Sequence, residues 1–514
     1  MTRSVFPGGG VSRRGGLMGA LASLAAFAAR PVAAQTPPAA PRAAPPAVTR
    51  FTPQTLQRLA QNLAKAPARP RVPPVAAAQA LSYDDQRRLR FRGERALWAD
   101  LGGAFKAELF PAVYLSADVV QLFEVYDGRA HPVVFAAEMF EAPDSLAGAL
   151  GQVAGWSGYR LLHPVNSPDK FDEIGAFQGA SYFRSLGRDQ QYGLSARGLA
   201  LKTGEAEEFP RFTSWWIERP APGADHVVMH ALLESDSVTG AYRFQVTPGE
   251  AQIFDIEATL YPRVAIDAAG VAPMSSMYLF GPVDGTNNDD FRTGVHDSDG
   301  LLIRTSDGGA IWRALANPRQ LQMSRFETDK LAGFGLVQRD RDFEHYGDLE
   351  ARYDKRPTLW VTPLDDWGAG AVQLLEIPTQ IETDDNMAAF WRPKTPWAAG
   401  KPVTLRYRLS WCDEPPAGQL CPVVRTRIGK NASEGVWLYV VEFGGVGDLN
   451  GVDKVTTADV GAITQSTLQA GPESGSARVV VVFKPPATGV AELSIGLTRG
   501  GAPISETWRY RWSG

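Results

Sequence analysis

Cysteine and histidine are scarce in this 514-residue chain, which holds two of the first and six of the second. Two thiols cannot build a disulfide-dense scaffold, and Cys412 and Cys421 have no histidine close in sequence with which to complete a zinc site. In an oxidising compartment the pair is expected to close one short disulfide loop, two free thiols being the alternative. A basic excess is also missing: 52 Lys and Arg stand against 56 Asp and Glu, so no cationic field is available for nucleic acid. Beyond the amino-terminal segment no apolar run approaches the ~20 residues of a transmembrane helix, which predicts a product without stable membrane insertion. The chain lacks a G-x-S-x-G elbow, a P-loop, an H-E-x-x-H pair and a dinucleotide fingerprint. No metal and no cofactor is expected, and carboxylate chemistry is left as the main enzymatic option.

What the chain does have begins with Arg13-Arg14, followed by Leu17-Met18, an apolar run to Ala29, and Val32-Ala33-Ala34 before Gln35. A charged start, an apolar stretch of about 13 residues and small residues at a cleavage site predict a signal peptide over 1–34. The paired arginines match the twin-arginine pattern, so export to the bacterial periplasm by that route is expected, with a general secretory signal as the alternative. Residues 35–50 are rich in Pro and Ala and form a leader without periodicity.

One early helix is predicted, with Thr52 as its cap, Pro53 in its first turn and Leu56, Leu59 and Leu63 at helical spacing. Strands follow. Tyr242, Phe244 and Val246 alternate before a Thr-Pro-Gly turn, and Ile253, Ile256, Leu260 and Val264 mark the return stretch of a hairpin. Apolar and polar residues also alternate through Val403–Trp411 and again at Trp508, Tyr510 and Trp512, while Ala477 to Phe483 is a β-branched run. The 51 Gly and 38 Pro suit many turns, and no repeat of fixed period is visible. The fold class is therefore all-β: a large β-sandwich over 51–391, a proline-rich linker at 392–402, and a smaller immunoglobulin-like β-sandwich over 403–514. No feature of the sequence specifies an oligomeric state.

Two acidic clusters sit among turn residues and aromatics instead of on a charged helix face. The first runs from Phe280 to Leu301 and includes Asp284, Asn287 to Arg292 and His296-Asp297-Ser298-Asp299-Gly300. Its Asp297-Ser-Asp299-Gly300 run resembles part of a calcium loop, but the closing glutamate is absent. The second, Glu376 to Asn386, ends in Glu382-Thr-Asp384-Asp385-Asn386 and leads into Ala389-Phe390-Trp391. A carboxyl held against rings is desolvated, which favours its neutral form and suits proton donation. A solvated acidic turn is the plain alternative. The 13 Trp and 14 Tyr provide rings suited to stacking on the apolar faces of sugars, although most are expected in the core.

Seven blocks resemble the periplasmic glucan biosynthesis G/D proteins: Phe171–Arg184, Tyr192–Leu199, Glu207–Pro210, His296–Leu301, Tyr346–Tyr353, Trp367–Leu374 and Glu376–Thr379. They fall in the family's order over essentially the whole chain after the leader, and Arg13-Arg14 inclines the chain toward the D-type branch. The resemblance implies a large β-sandwich with a smaller immunoglobulin-like domain, and a role with osmoregulated periplasmic glucans. The partner it implies is β-1,2-glucan, a β-1,2-linked glucose polymer. Some members look like anomer-inverting endo-glucanases and others like transglycosylases that cyclise the chain; a non-catalytic glucan-binding assembly factor is the further alternative. By motif, Asp385 would be the general acid and Asp297 the base, acting through a relay that includes a substrate hydroxyl, with Tyr353 close by. Asp384 and Asp299 are the neighbouring alternatives. Tyr192, Arg197, Trp215, Trp216, Arg292, His296, Asp299, Trp312, Arg352 and Trp367 are candidates to line a glucan cleft. Trp215 and Trp216 on one strand point to opposite faces, so only one can meet a given sugar.

Overall fold

The computed structural model describes residues 46–71, 73–283, 289–431 and 433–514. The expected signal peptide, most of the leader, and Asp284, Asn287 and Asn288 of the first acidic cluster lie outside the described residues. The predicted helix spans Pro53–Ala64, and its cap Thr52 accepts a hydrogen bond from the Thr55 N–H through its side chain. Its inward stripe is Leu56, Ala60 and Leu63, with Leu59 turned to solvent at 39% exposure, because at about 100° per residue those three fall within roughly 60° of arc and Leu59 lies about 40° outside it. The helix lies on the strands Val227–Glu234, Val238–Thr247 and Gln252–Pro262 of the largest sheet.

Two sheets form the large sandwich. The first runs in the order Arg129–Pro132, Gln121–Tyr126, Arg211–Glu218, Val227–Glu234, Val238–Thr247, Gln252–Pro262, Val403–Cys412, Thr358–Pro363, Leu331–Val337, Gly300–Thr305 and Ala310–Ala314. The second runs Gln322–Thr328, Gly370–Glu376, Met387–Pro393, Ala269–Ser276, Ser195–Arg197, Tyr182–Ser185, Lys170–Gln178, Trp156–Ser167 and Lys106–Pro111. Period-2 burial sends the rings of both sheets into one core: Tyr159 and Phe177 of the second meet Trp215 of the first, and Phe183 meets Phe244 and Phe254. The predicted hairpin is present in register, with Phe244 opposite Ile256 and Thr247 opposite Ile253.

The boundary expected at 392–402 is corrected by hydrogen bonding. Val403–Cys412 pairs with Gln252–Pro262 on one side and Thr358–Pro363 on the other, and its Leu405, Tyr407, Leu409 and Trp411 enter the large core. An alternating strand fits either sandwich by pattern alone; the partners decide, and they place the crossing after Cys412. The smaller sandwich then consists of Val423–Asn431, Val436–Phe443, Ala477–Lys484 and Ala462–Ala470 facing Thr507–Trp512, Ala491–Arg499 and Val452–Ala458. A parallel pairing of Ala310–Ala314 with Thr507–Trp512 makes the two sandwiches share one continuous sheet.

Both cysteines are free, which corrects the expected disulfide. Cys412 ends a strand of the large sheet with its thiol on the Ser410 carbonyl, and burial pushes its pKa up to about 12. Cys421 belongs to the smaller sandwich and turns its thiol to the Gly445 carbonyl.

Candidate active site

One strand serves as the frame for both acidic clusters. Ala269–Ser276 is buried at every position, and the chain leaving it at Met277 and Tyr278 is gripped from two sides. On one side Ser276 is opposite Met387, and the buried Asn386 side chain accepts from the Tyr278 N–H at 2.8 Å while donating to the carbonyls of Tyr278 and Ile377. That clamp fixes Asp385, the preceding residue. On the other side the Asp297 N–H donates to the Met277 carbonyl at 2.8 Å, and the hydroxyls of Ser276 and Ser298 are 2.8 Å apart. Clusters about ninety positions apart in sequence thus converge on one four-residue stretch.

The environments of the two carboxyls differ. Asp297 is fully buried, with Oδ1 accepting from Arg356 Nη1 at 2.8 Å. Desolvation, helped by the nearby Asp385 carboxylate, raises its pKa to about 6 against the pull of Arg356. Asp385 keeps 13% of its side chain exposed; Oδ2 accepts from the Ser275 hydroxyl at 3.3 Å and lies 3.6 Å from Arg184 Nη2. Asp297 Oδ2 and Asp385 Oδ1 are each buried without a hydrogen-bonding partner among the described residues. Leaving such an oxygen bare costs about 1–3 kcal/mol, so two in one place mark groups held ready for something outside the protein. Tyr353 is buried near Asp297 with the Arg356 guanidinium 4.7 Å from its ring centre, and burial, helped by the Asp297 charge, holds its hydroxyl protonated.

Other expected residues surround this pair. His296 stacks on Tyr278, with Nδ1 3.0 Å from Gln338 Oε1, and burial lowers its pKa to about 4, so it is neutral and structural. Arg292 binds Asp290, Asp348 and Glu382, drawing three loops together at the rim, and Glu382 acts electrostatically on Asp297. Tyr192 donates to Glu173 at 2.9 Å on the same sheet face as Arg184. Arg197 is salt-bridged to Glu207 and lies against Tyr182, whose hydroxyl feels Asp385.

The structure takes the remaining candidates elsewhere. Trp215 points into the core between Tyr159, Phe177 and Phe212. Trp216 faces outward, but the helix segment covers that face and stacks the ring between Phe51 and Phe123. Trp312 lies under Arg339 at 3.7 Å in the core of the smaller sandwich. Trp367 packs on Trp391 and Tyr407 at the edge of the large core. Arg352, at φ +46°, turns to Asp354 and Phe343. Of the neighbouring carboxylates, Asp299 caps the backbone N–H groups of Arg339 and Asp340, and Asp384 accepts from Thr379 within its own loop. Sequence reading missed Arg356, Arg184, Ser275 and Glu382 as partners. Arg184 stood inside the first resembling block and Glu382 inside the second acidic cluster, but nothing in spacing says which charge a distant carboxylate will meet.

A family model described as periplasmic glucan biosynthesis protein, MdoG, matches residues 51–512. The glucans biosynthesis protein G of Rhodopseudomonas palustris is 44% identical over 471 residues, covering 90% of this chain and 93% of the relative. That of Bradyrhizobium diazoefficiens is 42% identical over 473 residues, covering 90% and 93%. That of Vibrio cholerae is 41% identical over 473 residues, covering 90% and 87%. The D-type inclination finds no support among them, since these relatives carry the G name; the arginine pair that suggested it lies outside the matched span and says nothing of the folded part. With the match running from just before the first helix to the last strand, the chain belongs to the periplasmic glucan biosynthesis protein (MdoG) family.

Proposed function

We propose that the protein acts on β-1,2-glucan in the periplasm, within osmoregulated periplasmic glucan biosynthesis, as an anomer-inverting endo-glucanase. The observation that supports this best is the pair of buried, unpartnered carboxyl oxygens on Asp297 and Asp385, close enough to couple electrostatically. Asp385 donates a proton to the oxygen of the departing sugar as the glycosidic bond breaks. Water attacks the anomeric carbon from the opposite side, and its proton passes through a substrate hydroxyl to Asp297, with Tyr353 beside the path. Inverting enzymes ordinarily separate the two carboxyls by roughly 6.5–9.5 Å to admit that water, and a relay tolerates a longer gap. Tyr192, Arg197 and Arg292 are the cleft-lining candidates that remain near the pair. Export through the twin-arginine route is supported by Arg13-Arg14 and the apolar segment behind them.

The test is Asp385→Asn on linear β-1,2-glucan. Turnover should fall by about 10²–10⁴ while glucan binding and thermal stability stay near wild type, because the swap keeps the shape and removes the donor. An active Asp385→Asn protein refutes the assignment, and a wild-type protein that leaves every glucan intact favours a binding role. The names of the relatives speak of biosynthesis, which favours a second reading in which a sugar hydroxyl replaces water and the glucan is cyclised. Mass spectrometry separates the two, since a cyclic product lies one water below the linear chain of equal length.

A further inference from the structure

Gln338 and Arg339 follow the strand Leu331–Val337, and as successive residues of extended chain they face opposite ways. Gln338 is fully buried. Its amide donates to the His296 carbonyl at 3.0 Å, the Tyr346 hydroxyl at 2.9 Å and the Tyr353 carbonyl at 3.2 Å, and its carbonyl lies 3.0 Å from His296 Nδ1. One side chain therefore ties the segment carrying Asp297 to the segment carrying Tyr353 and Arg356.

Arg339 reaches into the other sandwich. Its guanidinium makes two contacts of 2.8 Å with the carboxylate of Glu506 and covers the Trp312 ring. Glu506 is 2% exposed and also accepts from the Val423 N–H at 2.9 Å, so it holds both the first strand of the smaller sandwich and the approach to the last. The backbone closes the link: the N–H groups of Arg339 and Asp340 donate to the Asp299 carboxylate, and the Asp299 N–H donates to the Val337 carbonyl. Asp299 is two residues from Asp297. A displacement of Arg339 thus acts on Asp297 by two routes, through Asp299 along the chain and through Gln338 from the side.

We propose that Arg339 is a positioning residue through which the carboxy-terminal sandwich holds Asp297 in register with Asp385. The inference rests on the reading of those two carboxyls as the reacting pair. It assigns the smaller sandwich a part in turnover, although the contacts of the two carboxyls among the described residues are with Arg356, Ser275 and Arg184 of the large sandwich. Bidentate geometry suits Arg339 because a planar fork on a carboxylate fixes orientation as well as distance, which a lysine ammonium does only in part.

The experiment uses the full chain and linear β-1,2-glucan, with kcat, KM and thermal midpoint measured for Arg339→Met, Arg339→Lys, Glu506→Gln and, as a control of comparable destabilisation, Val481→Ala in the core of the smaller sandwich. Arg339→Met should lower kcat at least tenfold with KM within twofold of wild type. Arg339→Lys should recover part of the loss, Glu506→Gln should show the same split more weakly, and Val481→Ala should lower the midpoint without lowering kcat at temperatures where it is folded. Where Arg339→Met does not fold, Glu506→Gln carries the test. Unchanged kcat in the folded Arg339 and Glu506 variants, beside a dead Asp297→Asn protein, overturns this inference alone. Equal loss in Val481→Ala reduces the link to general stability and also overturns it. Full turnover in Asp297→Asn removes the site reading and this inference with it.

Discussion

Asp297→Asn separates the charge of this carboxyl from its shape, and the structure fixes what should follow. The group is fully buried, and its pKa rises from 3.8 to about 6 despite its contact with Arg356. Ionising it in the folded chain therefore costs about 3 kcal/mol more than in the unfolded chain, at about 1.4 kcal/mol per pH unit. The sign is opposite to that of a salt-bridged surface aspartate. Below pH 3.8 both states hold the proton and nothing is lost; between 3.8 and about 6 the unfolded chain releases a proton that the folded chain retains, so stability falls, and above about 6 the full cost is present. Asparagine removes that cost. Thermal unfolding of both proteins at pH 4 and pH 8 should show the variant gaining on wild type by up to about 3 kcal/mol between the two, or a few degrees in a chain of this size. Titrating groups that do not interact with Asp297 cancel in that double difference. At the same time turnover should be lost at every pH. A difference between the proteins that stays flat from pH 4 to pH 8 would refute the desolvated carboxyl and the base role argued from it.

The same carboxyl sets the acid limb of activity: a base must be ionised, so kcat/KM should decline as pH drops through about 6, measured on linear β-1,2-glucan. Arg356→Met should move that limb up by about one pH unit, because the cation favouring the carboxylate is gone while Asp385 and Glu382 still disfavour it and only the more distant Arg184 helps. Trp215→Ala should cost about 3–5 kcal/mol of stability by leaving a hole among Tyr159, Phe177 and Phe212, read by thermal melting; a sugar-stacking ring at the surface would instead lose affinity and keep its midpoint. Dithiothreitol should leave the thermal midpoint unchanged, since Cys412 and Cys421 share no bond; a lower midpoint under reduction would restore the disulfide.

Much of the local architecture was legible in the chain because it is written at short range. The cap at Thr52, the hairpin around Thr247 and the alternation at Trp508 to Trp512 each follow from neighbouring residues, and each appears where the pattern puts it. Val403–Cys412 shows the limit. Its alternation specified a half-buried strand, yet which sheet it joins depends on Gln252–Pro262 and Thr358–Pro363, and no local feature names those partners. The tryptophans show it again: strand periodicity puts Trp215 and Trp216 on opposite faces, but whether a face meets solvent or a covering helix is settled by what packs there.

By itself the sequence determined residue chemistry and local periodicity: an all-β chain in two sandwiches and two carboxylate clusters among turns, with the family resemblance carried in its motifs. Only the tertiary structure decided that Asp297 and Asp385 meet on one strand, that Arg356 and Arg184 are the cations they face, and that Asp299 and Asp384 are occupied in holding loops. The reason is physical. Hydrogen-bonding period and turn preference act over a few residues, whereas the energy of a buried charge depends on every group within several ångströms, and those groups come together only when the sheets close.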